Sequence, residues 1–199
     1  AAAVVFGAAL GWFFERVIVK PVYSDHLRQI LITMGALIVA EQLILATWGG
    51  SPVNVPRPHF LEGAIIVGNS SLEVYRLFAF CLGALVYGGL FVLLNRTRMG
   101  LLIRAGVENR EMVEALGFKI DRLFIGVFML GSALAAMGGA MWAGYETIIT
   151  PALGAEMMVI VFIVVIIGGL GSLRGTVLAA LLIGMSDGII SVFFSPTLA

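Results

Sequence analysis

Two carboxylates stand where an apolar chain has least reason to keep them: Glu41 within ITMGALIVAEQLILATW and Asp187 within LLIGMSDGII. An acid at the centre of a bilayer costs roughly 2.5–3.5 kcal/mol on insertion scales, so each should face protein or water. Either could line a polar pathway, bind a cation or carry a proton. A hydrogen bond within or between helices, with the acid protonated, serves as well, and partial solvation is a third option for Asp187. No other reactive set is legible. His26 and His59 fall in different loops, Cys81 is alone in an apolar run, and no Ser/His/Asp or paired-carboxylate arrangement stands at a workable spacing. The chain therefore reads as no enzyme, with no catalytic residue, no cofactor and no metal site.

The elements that must position these acids are long and apolar. The chain is 60% hydrophobic, with 12 Lys and Arg against 12 Asp and Glu, and its mean hydropathy is +1.06. Soluble domains carry charge on about a quarter of their residues, and a helix needs about 20 apolar residues to cross a bilayer. Candidate spans are 1–14, 29–48, 74–94, 122–145, 154–170 and 174–194. Their runs are continuously apolar and do not alternate, which argues against a β-barrel. The expected fold is an all-α polytopic membrane bundle of about six spans, a single transmembrane domain over 1–199. The opening AAAVVFGAALGWFF reads as a helix entered midway and the ending FFSPTLA is equally abrupt, so a piece of a longer chain is expected. Zero net charge gives no reason to expect nucleic acid.

Positive charge orients the bundle. Arg16, Lys20, Arg28, Arg96, Arg98, Arg104, Arg110, Lys119, Arg122 and Arg174 fall on one side, which should be cytoplasmic; only Arg57 and Arg76 fall opposite. Trp48, Tyr75, Trp142 and Tyr145 then sit near the outer ends of their helices, as an aromatic belt requires. The outer segment TWGGSPVNVPRPHFLEGAIIVGNSSLEVYR, rich in Pro, Gly, Asn and Ser, is expected to be an irregular loop.

RTRMGLLIRAGVENREMVEALGFKIDRL, residues 96–123, concentrates the charge. Leu101, Leu102, Ala105, Met112, Ala115 and Leu116 recur at three- and four-residue steps, one face of a short helix at about 100–117 between the third and fourth spans. Arg104 with Glu108 and Arg110 with Glu114 are i, i+4 pairs, and Gly117 is a plausible stop. A lipid-lying helix, a solvated connector and a docking element with apolar knobs all fit this pattern. Mixed charge fits the lipid-lying reading least, since such helices are usually rich in Lys and Arg on their polar face. Gly131, Ala135, Gly139 and Ala143 put small residues on every fourth position of the fourth span, a helix-packing surface either within the chain or between subunits. IIGGLGSLRGT lacks the order of a phosphate-binding loop and is better read as a tight turn.

Three stretches together resemble one family. ERVIVKPVYSDHLRQILITMG, the 96–123 loop, and TPALGAEMMVIVFIVVIIGGLGSLRGTVLAALLIG resemble branched-chain amino acid ABC transporter permeases of the LivH type, in that order along nearly the whole chain. The resemblance implies a multi-pass inner-membrane (cytoplasmic membrane) subunit of an ATP-driven importer. It would be paired with a LivM-type permease, two ABC ATPase subunits and a periplasmic substrate-binding protein. It makes the loop a coupling helix, with Arg98, Gly100, Arg104, Ala105, Ala115 and Gly117 on its motif positions and Glu114 as an unusually acidic addition. Arg104 would pair with an acid or helix end on the ATPase. Arg174 and Thr176 depart from the family's usual Pro and Ala. The resemblance also implies that N-terminal helices, and a last one, lie outside this sequence. Two rival readings remain: a related permease for urea, amides or other amino acids, and an ion-coupled secondary transporter using Glu41 or Asp187.

Overall fold

The computed structural model describes residues 2–22, 26–55, 63–67, 70–169 and 171–193, with the side chains of Val22, His26, 64–72 and 189–193 left aside. It is a helical membrane protein whose chain falls into two compact units, 1–150 and 151–199.

In the first unit, α1 (Ala2–Phe14) runs directly into a π-helical turn (Glu15–Val19) and a short 3-10 turn (Lys20–Val22). α2 (His26–Trp48), α3 (Val74–Arg96) and α6 (Ile120–Glu146) follow the expected spans to within a few residues. Each of these three helices, and the α1–π segment Ala2–Val19, is long and apolar enough to cross a membrane. α2 satisfies the hydroxyls of Thr33 and Thr47 on its own carbonyls, at 2.9 Å to Gln29 O and 2.8 Å to Leu43 O, the cheapest way to keep a polar atom in hydrocarbon.

The tightest helix pair is α1 against α6. Gly7 and Gly11 are buried, and a Cβ on either would overlap Ala136 or Ser132. Their missing side chains let the backbones close, so dispersion over the seam replaces the hydrophobic drive that lipid cannot supply. Phe14 stacks parallel on Phe128 at 6.3 Å further along the seam.

The described residues of the outer segment include short strands where an irregular loop is expected. β1 (Val53–Asn54) pairs antiparallel with β4 (Ile148–Ile149), and β2 (Ala64–Val67) pairs antiparallel with β3 (Ser70–Glu73), Val67 opposite Ser70. Ile65, Ile66 and Val67 are β-branched, which suits a pleated ribbon, and the sequence reading gave them too little weight beside the flanking prolines. Arg57 and His59 lie outside the described residues.

In the second unit, α7 (Leu153–Gly168) and α8 (Leu173–Phe193) form an antiparallel pair. Gly168 meets the main chain of Gly175 and Thr176 so closely that neither Gly168 nor Gly175 has space for a Cβ. Ser172 caps α8, its hydroxyl accepting from Gly175 N at 3.1 Å. This is the tight turn expected for the glycine run.

Candidate functional site

The charged loop is two helices, not one. α4 (Arg98–Glu108) ends at Asn109, whose extended backbone (φ −150°, ψ 95°) starts α5 (Arg110–Ala115) in a new direction. Asn109 Oδ1 accepts from Met112 N at 3.0 Å, so the residue that interrupts one helix caps the next. The single helix at 100–117 is therefore corrected to a broken pair. Its period-3.6 pattern continued through a residue whose side chain competes for the backbone.

α4 is seated on the end of the third span. Thr97 caps it, accepting from Gly100 N at 3.4 Å, and Gly100 is buried where a Cβ would strike the main chain of Leu94. Arg104 reaches the same place: its guanidinium donates to Leu94 O at 3.2 Å and to Asn95 Oδ1. It thus satisfies one carbonyl that the end of α3 leaves open, a favourable position for a cation. The expected Arg104–Glu108 pair gives way to this contact.

α5 is held from the other side. Arg110 donates to Glu114 Oε1 at 3.0 Å and to Asp121 Oδ1 in the first turn of α6. Lys20, from the turn after α1, joins Asp121 at 3.5 Å. The hydrogen bond to Glu114 raises the Arg110 pKa; desolvation opposes it, and the charge of Asp121 adds to the rise. Beneath this network Val113 and Ile120 are buried. Gly117, at φ +87°, ends α5 with two bonds, Gly117 N to Glu114 O at 2.9 Å and Phe118 N to Val113 O at 3.3 Å. That is a Schellman closure, which needs a left-handed residue where Gly117 stands.

With its inner face so fixed, the segment presents apolar side chains outward. Leu101, Met112 and Leu116 are each more than 60% exposed, and Leu102 and Ala105 are half-buried. Arg98, Glu114 and Ala115 are exposed beside them. Large apolar side chains held outward on a charged, capped element fit the requirements of a protein groove.

The other sequence-selected residues fall elsewhere. Glu41 is half-buried on α2 and Asp187 is exposed on α8; among the described residues neither side chain makes a hydrogen bond or ion pair. Gly131, Ala135 and Gly139 are exposed on α6, and only Ala143 of that stripe is buried. The α1 seam uses the adjacent face, Met129, Ser132, Ala133 and Ala136. At the far end of α6, Tyr75 is buried over Gly144 and its hydroxyl donates to Met141 O at 2.6 Å. Arg76 lies 5.2 Å over the Tyr145 ring.

Sequence reasoning passed over Glu15, which is 1% exposed in the π-helical turn. Glu15 and Val19 continue the four-residue step of the buried Gly7 and Gly11, which places the acid on the packed face of the α1 segment. The available signal was an acid closing an apolar run directly before Arg16.

The family of branched-chain amino acid transport system permease components matches residues 1–198. The chain belongs to that family. Individual permeases are similar over most of it. The high-affinity branched-chain amino acid transport system permease protein LivH of Escherichia coli K12 is 28% identical over 97% of this chain and 64% of its own length. BraD of Pseudomonas aeruginosa, of the same description, is 26% identical over 94% of this chain and 62% of its own. An L-arabinose ABC transporter permease, AraH of Azospirillum brasilense, is 25% identical over 86% and 51%. The chain thus spans a little under two thirds of the length of the LivH and BraD permeases it matches. No solved structure matches it. As a member of the permease family it is a multi-pass membrane protein and a transport component, not an enzyme.

Proposed function

We propose that this permease chain is part of the membrane subunit of an ATP-driven importer of branched-chain amino acids, and that α4 and α5 dock on its ATPase. The observation that carries the docking is the seating of the two helices. Gly100 and Arg104 fix α4 to the end of the third span, Arg110 and Asp121 fix α5 to the start of the fourth, and Leu101, Met112 and Leu116 are left facing out. A push on the exposed face is then delivered to two spans at once. In this reading Arg98, Ala105, Glu114 and Ala115 meet the ATPase surface, while Gly100, Arg104 and Gly117 hold the shape that meets it.

The substrate class follows the LivH and BraD relatives. The full assembly would contain a LivM-type permease, two ABC ATPase subunits and a periplasmic binding protein, in the inner membrane with the α4–α5 side in the cytoplasm. The ten-to-two bias of Lys and Arg supports that sidedness. Residues 1–199 act as one permease domain, and Glu41 and Asp187 are the candidates for contact with the solute path. The exposed Gly131, Ala135 and Gly139 stripe is a candidate surface for the second permease. Because a sugar permease is also similar, the shared fold does not by itself select the solute.

Cysteine substitution at Met112 and Leu116 in the full-length protein, with its exposed Cys81 replaced, tests the docking. Thiol crosslinking to the ATPase subunit is expected from both positions and not from an introduced cysteine at Trp48, at the other end of the spans. Absence of any α4–α5 crosslink in an assembled, ATP-hydrolysing complex would remove the docking reading.

A further inference from the structure

We propose that the cleft between the end of α1 and the start of α6 binds the phosphate headgroup of an anionic phospholipid. The cleft encloses about 630 Å³, and its walls carry Arg16 and Lys20 from the turns after α1, Lys119 and Arg122 at the head of α6, and the acids Glu114 and Asp121. Those acids are already engaged, both by Arg110 and Asp121 also by Lys20. Four cations and two carboxylates line the cleft, and Arg110, outside the lining, already engages both acids. Lys119 and Arg122 are exposed, and among the described residues their side chains make no hydrogen bond or ion pair. A concave surface with this surplus lowers the energy of a monovalent or divalent anion.

Depth selects the lipid over a soluble anion. The cleft lies where one apolar span ends and another begins, the level of headgroups in a bilayer. Arg16 lies 5.5 Å over the ring of Trp12, the amphipathic residue type that marks that level. Apolar surface adjoins the charge: Phe118 and Ile125 line the cleft, while Phe13 at the end of α1 and Val17 on the π turn are 53% and 54% exposed, a track for acyl chains. Basic pockets between spans at the cytoplasmic surface recognise anionic headgroups by this combination of fixed charge and apolar wall. Under the sidedness proposed above, the lipid comes from the cytoplasmic leaflet.

The test uses the full-length permease in its purified assembly, delipidated in neutral detergent. Phosphatidylglycerol or phosphatidylcholine is added back, and lipid retained per complex is counted by native mass spectrometry. Retention of phosphatidylglycerol over phosphatidylcholine is expected, reduced roughly twenty-five-fold in Lys119→Gln/Arg122→Gln at about one factor of five per cation removed. Should the double variant fail to assemble, Arg122→Gln alone is expected to show the smaller step, and Arg122→Lys to restore retention. Equal retention by wild type and either Gln variant would overturn the proposal. Full displacement by millimolar inorganic phosphate or glycerol phosphate would overturn it in favour of a soluble anion. Loss of ATPase subunits from the Gln variants with lipid retention unchanged would overturn it in favour of a protein contact.

Discussion

The guanidinium of Arg110 donates to the carboxylate of Asp121, tying the second loop helix to the first turn of the fourth span. Lys20 holds the same carboxylate at 3.5 Å, so the turn after α1, about a hundred residues away in sequence, meets α5 and α6 at one acid. Asp121 is half exposed, and solvent-exposed ion pairs contribute about 0–1 kcal/mol each. Asp121→Asn should therefore leave the global unfolding temperature nearly unchanged while loosening α5 locally. Amide hydrogen exchange over 110–117 is expected to quicken severalfold, with exchange in α6 beyond its first turn unaffected.

The same contact sets a pH expectation. Hydrogen bonding to Glu114 first, and then the charge of Asp121, raise the Arg110 pKa above the ordinary guanidinium value. A basic group whose folded pKa is raised contributes stability that is fully present below its unfolded pKa, and loses it only as pH rises through the higher folded value. That window lies above the range in which carriers are assayed. The Arg110 contribution to α5 protection should then be flat from about pH 6 to pH 9. A protection step within that range that disappears in Arg110→Ala would show this assignment to be wrong.

Gly100→Ala places a methyl group on the main chain of Leu94, and α4 must move to admit it. Overpacking of this kind costs about 1–3 kcal/mol. The expected readout is local: uptake falls at least tenfold while ATP hydrolysis by the assembled complex persists, because α4 no longer transmits from its seat. Arg104→Ala removes the two bonds to Leu94 and Asn95 without a clash and should give a milder form of the same defect. Normal uptake by both variants would mean that the α3–α4 joint carries no coupling.

Two faces of α6 can be separated by one substitution each. Gly7→Leu drives a side chain into Ala136 and Ser132 on α6, and should lower the thermal stability of the detergent-solubilised protein by several degrees or prevent its accumulation. At Gly131 an added Cβ meets nothing within 4 Å among the described residues, so Gly131→Leu has open space at its first side-chain carbon. It should leave that stability within about 0.5 kcal/mol, the range of surface changes, and lower co-purification of the second permease if the stripe is its surface. Equal destabilisation by the two would contradict the α1–α6 seam as described.

Spans were legible because about 20 apolar residues in a row admit few structures, and the predicted ends of α2, α3 and α6 differ from the observed ones by only a few residues. Gly117 was legible as a stop because a left-handed terminus selects glycine. The break at Asn109 was not, since apolar periodicity ran through it and only the cap at Met112 N distinguishes a new helix from a continued one. The role of Arg104 was hidden for a different reason. Its partners on α3, Leu94 O and Asn95, are a carbonyl and an amide, neither of which a charge count can pair with an arginine. The stripe of small residues named a face of α6 without saying which neighbour uses it, and α1 packs on the adjacent face. Glu15 escaped because an acid at the end of an apolar span reads as a solvated terminus, although it continues the buried Gly7 and Gly11 at four-residue steps.

If α4 and α5 dock as proposed, motion of an ATPase reaches the solute path through them. The direct measurement is uptake of labelled leucine by the full-length permease, reconstituted in vesicles with its partner subunits and binding protein, with and without internal ATP. Wild type should accumulate leucine only when ATP and the binding protein are both present, and Gly100→Ala should hydrolyse ATP without accumulating it. Leucine uptake that ignores ATP and follows an ion gradient would contradict the claim, and would turn attention to Glu41 and Asp187.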